Sequence, residues 1–431
     1  MPATFLTVEP VRALRGRLRV PGDKSISHRY AMLSLLASGT TTIAGLATGA
    51  DVASTVHVVS ALGARVQRSE DGLVRITGRG AEGLRAPVAD LDAGNSGTTL
   101  RLMAGILASQ PFASRLVGDE SLSRRPMLRV ITPLNAMGAG ITAADGRPPL
   151  SIVGSPLHAI EWTTPVASAQ VKSAILLAGL YASGTTRVHE PLATRDHTER
   201  AFPVFGLTVS SQGLSRAVAG GQQAVAPSHT LEVPGDPSSA AVWAAAAAGI
   251  PGSRIQIDDV CLNPLRLGFL RALERMGAAV EIRETGLGTG GEPSGSLIVS
   301  HGPARAATIT SAEVPSLIDE LPVLAASAAL GGGLTVSGAA ELRVKESDRI
   351  GALVAGFHAL GLAAEEQPDG FIIPGGQRPE GGRADACGDH RLVMAFTIVA
   401  LGARGPSTIS SADSVAISYP GFAADLHTLA S

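Results

Sequence analysis

A two-domain α/β (α+β) architecture, built from six copies of one β–α–β–α–β unit, is predicted by three observations. The tetrapeptide VPGD occurs at Val20–Asp23 and again at Val233–Asp236, about half of the 431-residue chain apart. Each copy, like four other points in the chain, opens the same series: a polar start, an apolar Ala/Leu-rich helix, a Gly-containing turn and a strand. With Lys24, Asn95, Ser168, Asp236, Ser316 and Asp389 as start marks, the spacing is 68–80 residues. Five units then carry a second helical pattern closed by Gly: SALGARV, NAMGAGI, PVFGLTV, ERMGAAV and HALGLAA. The unit is too long for a common solenoid, and its alternation of strand and helix sets the class.

The elements follow in order. The first unit reads as helix SISHRYAMLSLLA and strand SGTTTIAGL (38–46). In the second, helix GNSGTTLRLMAGILA (94–108) leads to strand ASRLVGD (113–119). The third has ASAQVKSAILLAGLYA (167–182) and SGTTRVHEP (183–191). The fourth has PSSAAVWAAAAA and PGSRIQIDDV (251–260), and the fifth PSLIDELPVLAASAAL (315–330) and GGLTVSGA (332–339). The sixth has GDHRLVMAFTIVALG (388–402) and GPSTISSA (405–412), and the chain stops before a closing Gly signature. Each signature Gly falls just past the helical periodicity, where a left-handed cap favours it. Residues 3–20 read as one N-terminal strand that completes the sixth unit. The expected domains are therefore 1–20 plus 235–431 (the strand with repeats 4–6) and 21–234 (repeats 1–3). The chain is expected to cross between them twice, near Pro21 and Pro234.

Net charge is −2, so the basic footprint of a nucleic-acid binder is absent. Any anion site must be a local cluster of Lys and Arg. The N-terminus has no apolar signal core, and runs such as AAVWAAAAAGI (240–250) are too short to span a bilayer. Two cysteines, Cys261 and Cys387, are too few for a disulfide framework and fit a reducing cytoplasm.

The first VPGD continues as VPGDKSISHR, which looks like a phosphate loop. It is not a Walker loop, because Asp23 stands where a Gly must precede Lys24. A helix N-terminus is nonetheless a natural anion site. Polar residues collect at these starts: Lys24, Ser25 and Arg29; Asn95, Ser96, Gly97, Thr98 and Arg101; Ser168, Gln170 and Lys172; Asp319 and Glu320; Asp389, His390 and Arg391. Loops add Arg124, Arg125, Arg195, Lys345 and Arg349. If the starts converge, at least six cations meet, which suits two phosphorylated or carboxylated substrates. Plainer readings stand beside this one. Arg124–Arg125 reads equally as a solvated pair, and KESDR as a helix-surface pattern in which Glu346 reaches Arg349. His28 and His390 read as hydrogen-bonded structural groups. No metal-ligand spacing and no nucleophile motif occurs in the sequence.

Taken together, PGDKSISHR, GNSGTTLRL, SLSRRPM, SAQVKSAILLAGL, TRDHTER, IDELP, ELRVKESDR and DHRLVMAF resemble the 5-enolpyruvylshikimate-3-phosphate synthase family, in family order over residues 20 to 396. The resemblance implies a two-domain inside-out α/β barrel of six repeats, with the domains closing on the substrates. It implies transfer of the enolpyruvyl group of phosphoenolpyruvate to the 5-hydroxyl of shikimate 3-phosphate, on the route to chorismate and the aromatic amino acids. It also implies that no metal or organic cofactor takes part, that the partners are these two small molecules, and that the enzyme is a cytoplasmic monomer. By position, Lys24, Ser25, Arg29, Ser168, Ala169, Gln170, Arg195, Asp319 and Lys345 would bind shikimate 3-phosphate. Lys24, Gly97, Arg125, Gln170, Arg349 and Arg391 would bind phosphoenolpyruvate. Asp319 and Glu346 would exchange protons, with Lys24 and Lys345 neutralising charge.

The chain departs from the family pattern at Glu341, where many members have Asn, and at Ile417, where many have Lys. PGDKSISHR, SAQVKS and TRDHTER resemble the more glyphosate-tolerant branch, yet position 97 is Gly, where tolerant members can have Ala. The sister family, UDP-N-acetylglucosamine 1-carboxyvinyltransferase, is the nearest rival. It typically uses a loop Cys, and none occurs at 109–130. A small-molecule kinase lacks both its Walker glycine and its Mg²⁺ carboxylates here.

Overall fold

The computed structural model describes residues 4–430. The chain forms two compact units. The first-half unit comprises Gly22–Val233 with Leu287–Glu292; the second-half unit comprises the chain up to Pro21, Pro234–Gly286 and the chain from Pro293 on. Besides the passages at Pro21 and Pro234, the chain thus passes between units on either side of Leu287–Glu292.

Six helices form the interior. In the first-half unit these are α1 (Lys24–Leu36), α2 (Gly97–Leu107) and α3 (Ala169–Gly179). In the second-half unit they are α4 (Pro237–Gly249), α5 (Leu321–Leu330) and α6 (His390–Leu401). They are apolar on nearly every side, so they have no face to give to water. Every residue of α6 is buried, as is α4 from Pro237 to Ala247. Small residues let them approach closely: a Cβ on Gly105 of α2 would lie 2.3 Å from the Ala174 carbonyl of α3.

Five of the six are capped by the side chain at the repeat start: Asp23, Ser96, Ser168, Asp236 and Asp389. The fifth unit differs from expectation. Residues 315–320 are not part of a long helix but lie in and beside two 3₁₀ turns, Val314–Ser316 and Ile318–Glu320. Pro322 lacks an N–H and is tolerated only in a first turn, so the α-helix begins there.

Among the described residues, five four-stranded sheets and one three-stranded sheet carry the helices. The second repeat shows the pattern. Strand Leu91–Asp92 pairs parallel with Ala113–Val117, which pairs antiparallel with Arg147–Val153, which pairs antiparallel with Gly140–Ala144. The repeat is therefore β–α–β–α–β–β: where one closing strand was expected, there is a hairpin. Its turn, Asp145–Gly146, has φ of 51° and 66°, the primed geometry that Asp-Gly favours. The five signature glycines all take positive φ, from 73° to 106°.

The N-terminal segment forms two strands, not one, and residue 3 lies outside the described residues. Phe5–Val8 pairs antiparallel with Ser407–Ser410 in the sixth repeat, but Arg15–Arg19 pairs parallel with Arg254–Cys261 in the fourth. The exchange is reciprocal. Leu231–Glu232, just before the second VPGD, pairs parallel with Ser38–Ala44 of the first repeat. Each VPGD thus marks where a strand of one unit hands the chain to the other. The sixth repeat also has a second helix, Phe422–Ala430, at the chain end. No helix among the described residues is long and apolar enough to cross a membrane.

Candidate active site

The expected site residues fall into two groups, one per unit. In the first-half unit Asp23 Oδ1 accepts the Ile26 N–H at 2.8 Å and caps α1. Lys24 opens the helix, and its Nζ donates to Asp51 Oδ2 at 2.7 Å. Arg29, just over a turn further, is 4% exposed. It donates to Thr198 Oγ1 at 2.7 Å, the Ser25 carbonyl at 2.9 Å and Ser173 Oγ at 2.9 Å. Burial pushes its pKa down to about 10; Glu199, Asp23 and Glu292 oppose this and Arg195 adds to it. Arg29 therefore stays protonated at neutral pH and binds α1 to α3 and to helix His197–Val204. Arg195, half-buried, stands in the loop before that helix.

A second set joins α2 and α3. A Cβ on Gly97 would meet Arg101 Nη1 at 2.6 Å and Arg125 Nη1 at 3.5 Å. Arg101 donates to Gln170 Oε1 at 2.7 Å, and Gln170 Nε2 donates to Thr98 Oγ1 at 2.9 Å. Arg125, 7% exposed, donates to Asn95 Oδ1 at 2.7 Å. Gly97, Arg125 and Gln170 are thereby brought together. Ser168 caps α3 through Val171 N at 3.4 Å, with Ala169 and Gln170 as its first residues. The solvated reading holds for Arg124, which is exposed and pairs with Glu120 at 2.7 Å, and not for Arg125. Lys172 is no substrate cation: it is fully buried between Glu190 at 2.7 Å and Glu199 at 2.8 Å.

The second-half unit gathers Asp319, Lys345, Glu346, Arg349 and Arg391. KESDR is not a helix face. Residues 345–347 form a bend, Asp348 caps helix Arg349–Ala359, and Glu346 accepts from Arg349 Nη2. Arg349, 1% exposed, gives Nε to Asp389 Oδ2 at 2.7 Å and Nη1 to Asp319 Oδ1 at 3.4 Å. Burial alone would lower its pKa, but Asp389, Glu346 and Asp319 outweigh it and hold the guanidinium charged. Lys345 Nζ lies 3.5 Å from the same Asp319 oxygen. Arg391 Nη1 is 3.8 Å from Glu320, whose carboxylate also accepts from Ser238. Two half-buried carboxylates are thus fixed around one buried guanidinium, with a lysine beside them.

Several contributors were not found from sequence. Asp51 holds Lys24 from the next helix, and Ser173 and Thr198 hold Arg29 from 144 and 169 residues away. Asp389 was read as a helix start, and its grip on Arg349 carries no local signal. Glu341 lies half-buried in the 3₁₀ turn Ala340–Val344, and Ile417 half-buried at the end of Ala412–Ile417. No group of three or more His, Cys, Asp or Glu among the described residues is placed to hold a metal ion.

A family profile described as EPSP synthase (3-phosphoshikimate 1-carboxyvinyltransferase) matches residues 8–426. The chain belongs to the EPSP synthase family. It is 50% identical over 425 residues to a 3-phosphoshikimate 1-carboxyvinyltransferase of Acidithiobacillus ferrooxidans, covering 98% of this chain and 96% of that one. A Synechococcus enzyme of the same name is 47% identical over 435 residues, covering 99% and 97%. The solved structure of EPSP synthase from Acinetobacter baumannii superposes with a TM-score of 0.86 at 40% identity, covering 99% of this chain and 98% of that one. Like its family, this chain is a carboxyvinyl transferase of the shikimate pathway, with shikimate 3-phosphate and phosphoenolpyruvate as its small-molecule substrates.

Proposed function

We propose that the two groups of residues divide the chemistry of carboxyvinyl transfer between them. The observation that carries this is the pairing of Asp319 and Glu346 on Arg349, with Lys345 next to Asp319. The reaction needs two proton-transfer groups. The 5-hydroxyl of shikimate 3-phosphate adds to C2 of phosphoenolpyruvate and loses its proton, while C3 gains one. The product is a tetrahedral ketal that still bears phosphate. Loss of a C3 proton and cleavage of the C2–O bond then release inorganic phosphate and leave the enol ether. Asp319 serves the hydroxyl and Glu346 the methylene; Lys24 and Lys345 neutralise the growing charge.

Lys24, Ser25, Arg29, Ser168, Ala169, Gln170 and Arg195 hold shikimate 3-phosphate, with Asp319 and Lys345 at its 5-hydroxyl. Lys24, Gly97, Arg125, Gln170, Arg349 and Arg391 hold phosphoenolpyruvate. The planar guanidinium fork suits both its carboxylate and its phosphate. An arriving carboxylate takes the Arg349 Nη1 donor from its long contact with Asp319, which leaves Asp319 to accept the hydroxyl proton. Glyphosate occupies the phosphoenolpyruvate set in the family that the motifs resemble. At Gly97 no methyl stands in its way.

The buried helices α1–α6, with sheets on their flanks, support the inside-out barrel reading for each unit. Cys261 and Cys387 are not joined in a disulfide, which supports a reducing cytoplasm.

Phosphate release from phosphoenolpyruvate, measured in EDTA, tests the reading. Release with shikimate 3-phosphate alone is expected. Release with UDP-N-acetylglucosamine instead, or only after metal is restored, would overturn it.

A further inference from the structure

We infer that a one-way chain of hydrogen bonds, from His28 through Thr55 and Thr99 to Ser96, is a positioning device that fixes the Lys24 end of α1 against the Gly97 end of α2 and so sets the affinity for phosphoenolpyruvate. The inference rests on the reading above, which puts both ends at that substrate.

The four side chains are fully buried. His28 Nδ1 is 2.6 Å from Thr55 Oγ1, and Thr55 Oγ1 is 2.6 Å from Thr99 Oγ1. Thr99 Oγ1 donates to Ser96 Oγ at 2.8 Å, and Ser96 Oγ accepts the Thr99 N–H at 3.1 Å as the cap of α2. A hydroxyl has one proton to give. Thr99 gives its proton to Ser96, so Thr55 must donate to Thr99. Thr55 is then an acceptor towards His28, whose proton must sit on Nδ1. This leaves Nε2 as a bare lone pair, and Nε2 is buried without a partner among the described residues. A buried acceptor without a partner is better tolerated than a buried orphan N–H. The ring is therefore neutral. Burial, then Lys24 and Arg29, lower its pKa well below 6.5, in agreement with this assignment.

The arrangement is a bracket. Lys24 and His28 are a turn apart on α1, and their partners Asp51 and Thr55 are a turn apart on helix Ala50–Ala61. Two rungs fix that helix to α1, and the Thr55–Thr99 bond fixes it to α2. The chain then ends on the cap of Gly97 and Thr98. Thr98 receives Gln170, and Gln170 receives Arg101. None of the four residues touches solvent, so each acts only by holding others. A run of aligned hydrogen bonds in a dry interior is stiffer than its members taken singly.

Thr55→Val removes the hydroxyl in the middle of the chain and keeps the shape; Thr55→Ser restores it. Steady-state kinetics and thermal melts are measured on the full-length enzyme, with shikimate 3-phosphate and phosphoenolpyruvate each varied. We expect Thr55→Val to raise KM for phosphoenolpyruvate about tenfold, as loss of a single hydrogen bond allows. KM for shikimate 3-phosphate should rise less, and Thr55→Ser should recover most of the loss. A lowered melting temperature with both KM values unchanged would make the chain merely structural and overturn the inference. So would a failure of Thr55→Ser to rescue. If Thr55→Val does not fold, Thr99→Ala cuts the chain one link further on and is read in the same way. An active wild type with an unmoved KM defeats this inference alone. A wild type that turns over neither substrate defeats the functional reading and this inference with it.

Discussion

At Gly97 a missing side chain makes room for two guanidinium groups. A methyl there would press on Arg101 Nη1, the mobile end of a long side chain, so the protein folds and Arg101 moves. Arg101 then loses its charge-assisted bond to Gln170. Gly97→Ala should raise KM for phosphoenolpyruvate roughly tenfold and weaken glyphosate inhibition further still. Unchanged inhibition would refute the steric role. The role proposed for Asp319 is tested at the same scale. General acid–base groups contribute about 10²–10⁴-fold, so Asp319→Ala should cut kcat by that factor. Near-normal turnover would remove Asp319 from the chemistry. His28 ties stability to pH. Its folded pKa is depressed, so below 6.5 the unfolded chain takes up a proton that the folded chain refuses. The stability it contributes is present above that pH and is lost as pH falls. The slope from this one group reaches about 1.4 kcal/mol per pH unit. The charges around it are Lys24 and Arg29 on α1 and Asp51 on helix Ala50–Ala61. Urea midpoints at pH 7 and pH 5.5 should converge in His28→Asn relative to wild type.

Among the elements, α3 shows how a buried charge can hold a loop. Lys172 sits between Glu190 and Glu199 and also donates to the Thr194 carbonyl at 3.4 Å, next to Arg195. The triad orients the segment from Glu190 to helix His197–Val204. Removing the cation leaves two carboxylates in the interior. Lys172→Met should therefore cost about 3–5 kcal/mol, read from denaturant melts. A near-neutral effect would mean that the carboxylates relax to water. The fifth repeat shows the opposite economy. Pro322 gives up a regular helix start, and Asp319 sits in a 3₁₀ turn instead of a capped first turn.

For the whole molecule, the strand exchange at the two VPGD sites makes the halves unequal. Segment 22–233 contains every strand of its three sheets, including Leu231–Glu232. Segment 234–431 lacks Phe5–Val8 and Arg15–Arg19, which complete its sixth and fourth sheets. Expressed alone, 22–233 should give a cooperative melt, weakened by the loss of Glu292, the partner of buried His197. Segment 234–431 should melt without cooperativity until a 1–21 peptide is added. Equal behaviour of the two segments would contradict this reading of the topology.

The repeat, the buried helices apart from the start of the fifth, the left-handed glycine caps and the family could all be read from the chain order. These are local or periodic properties: an apolar run with a polar start and a closing Gly folds the same way wherever it recurs. Lys24, Gln170 and Arg391 were singled out for a local reason as well, since they stand at helix starts, where anions are favoured. The tertiary structure alone decided the rest. The split of the N-terminal segment between two sheets and the reciprocal strand swap depend on pairing between residues about two hundred or more positions apart. Asp51 on Lys24, Thr198 on Arg29 and Asp389 on Arg349 are likewise contacts between separate elements, 27, 169 and 40 positions apart. Folding also separates Arg125, which is buried against Asn95, from Arg124, which stays in solvent. A hydrogen bond is read at about 3 Å in space, and chain order carries no record of that distance.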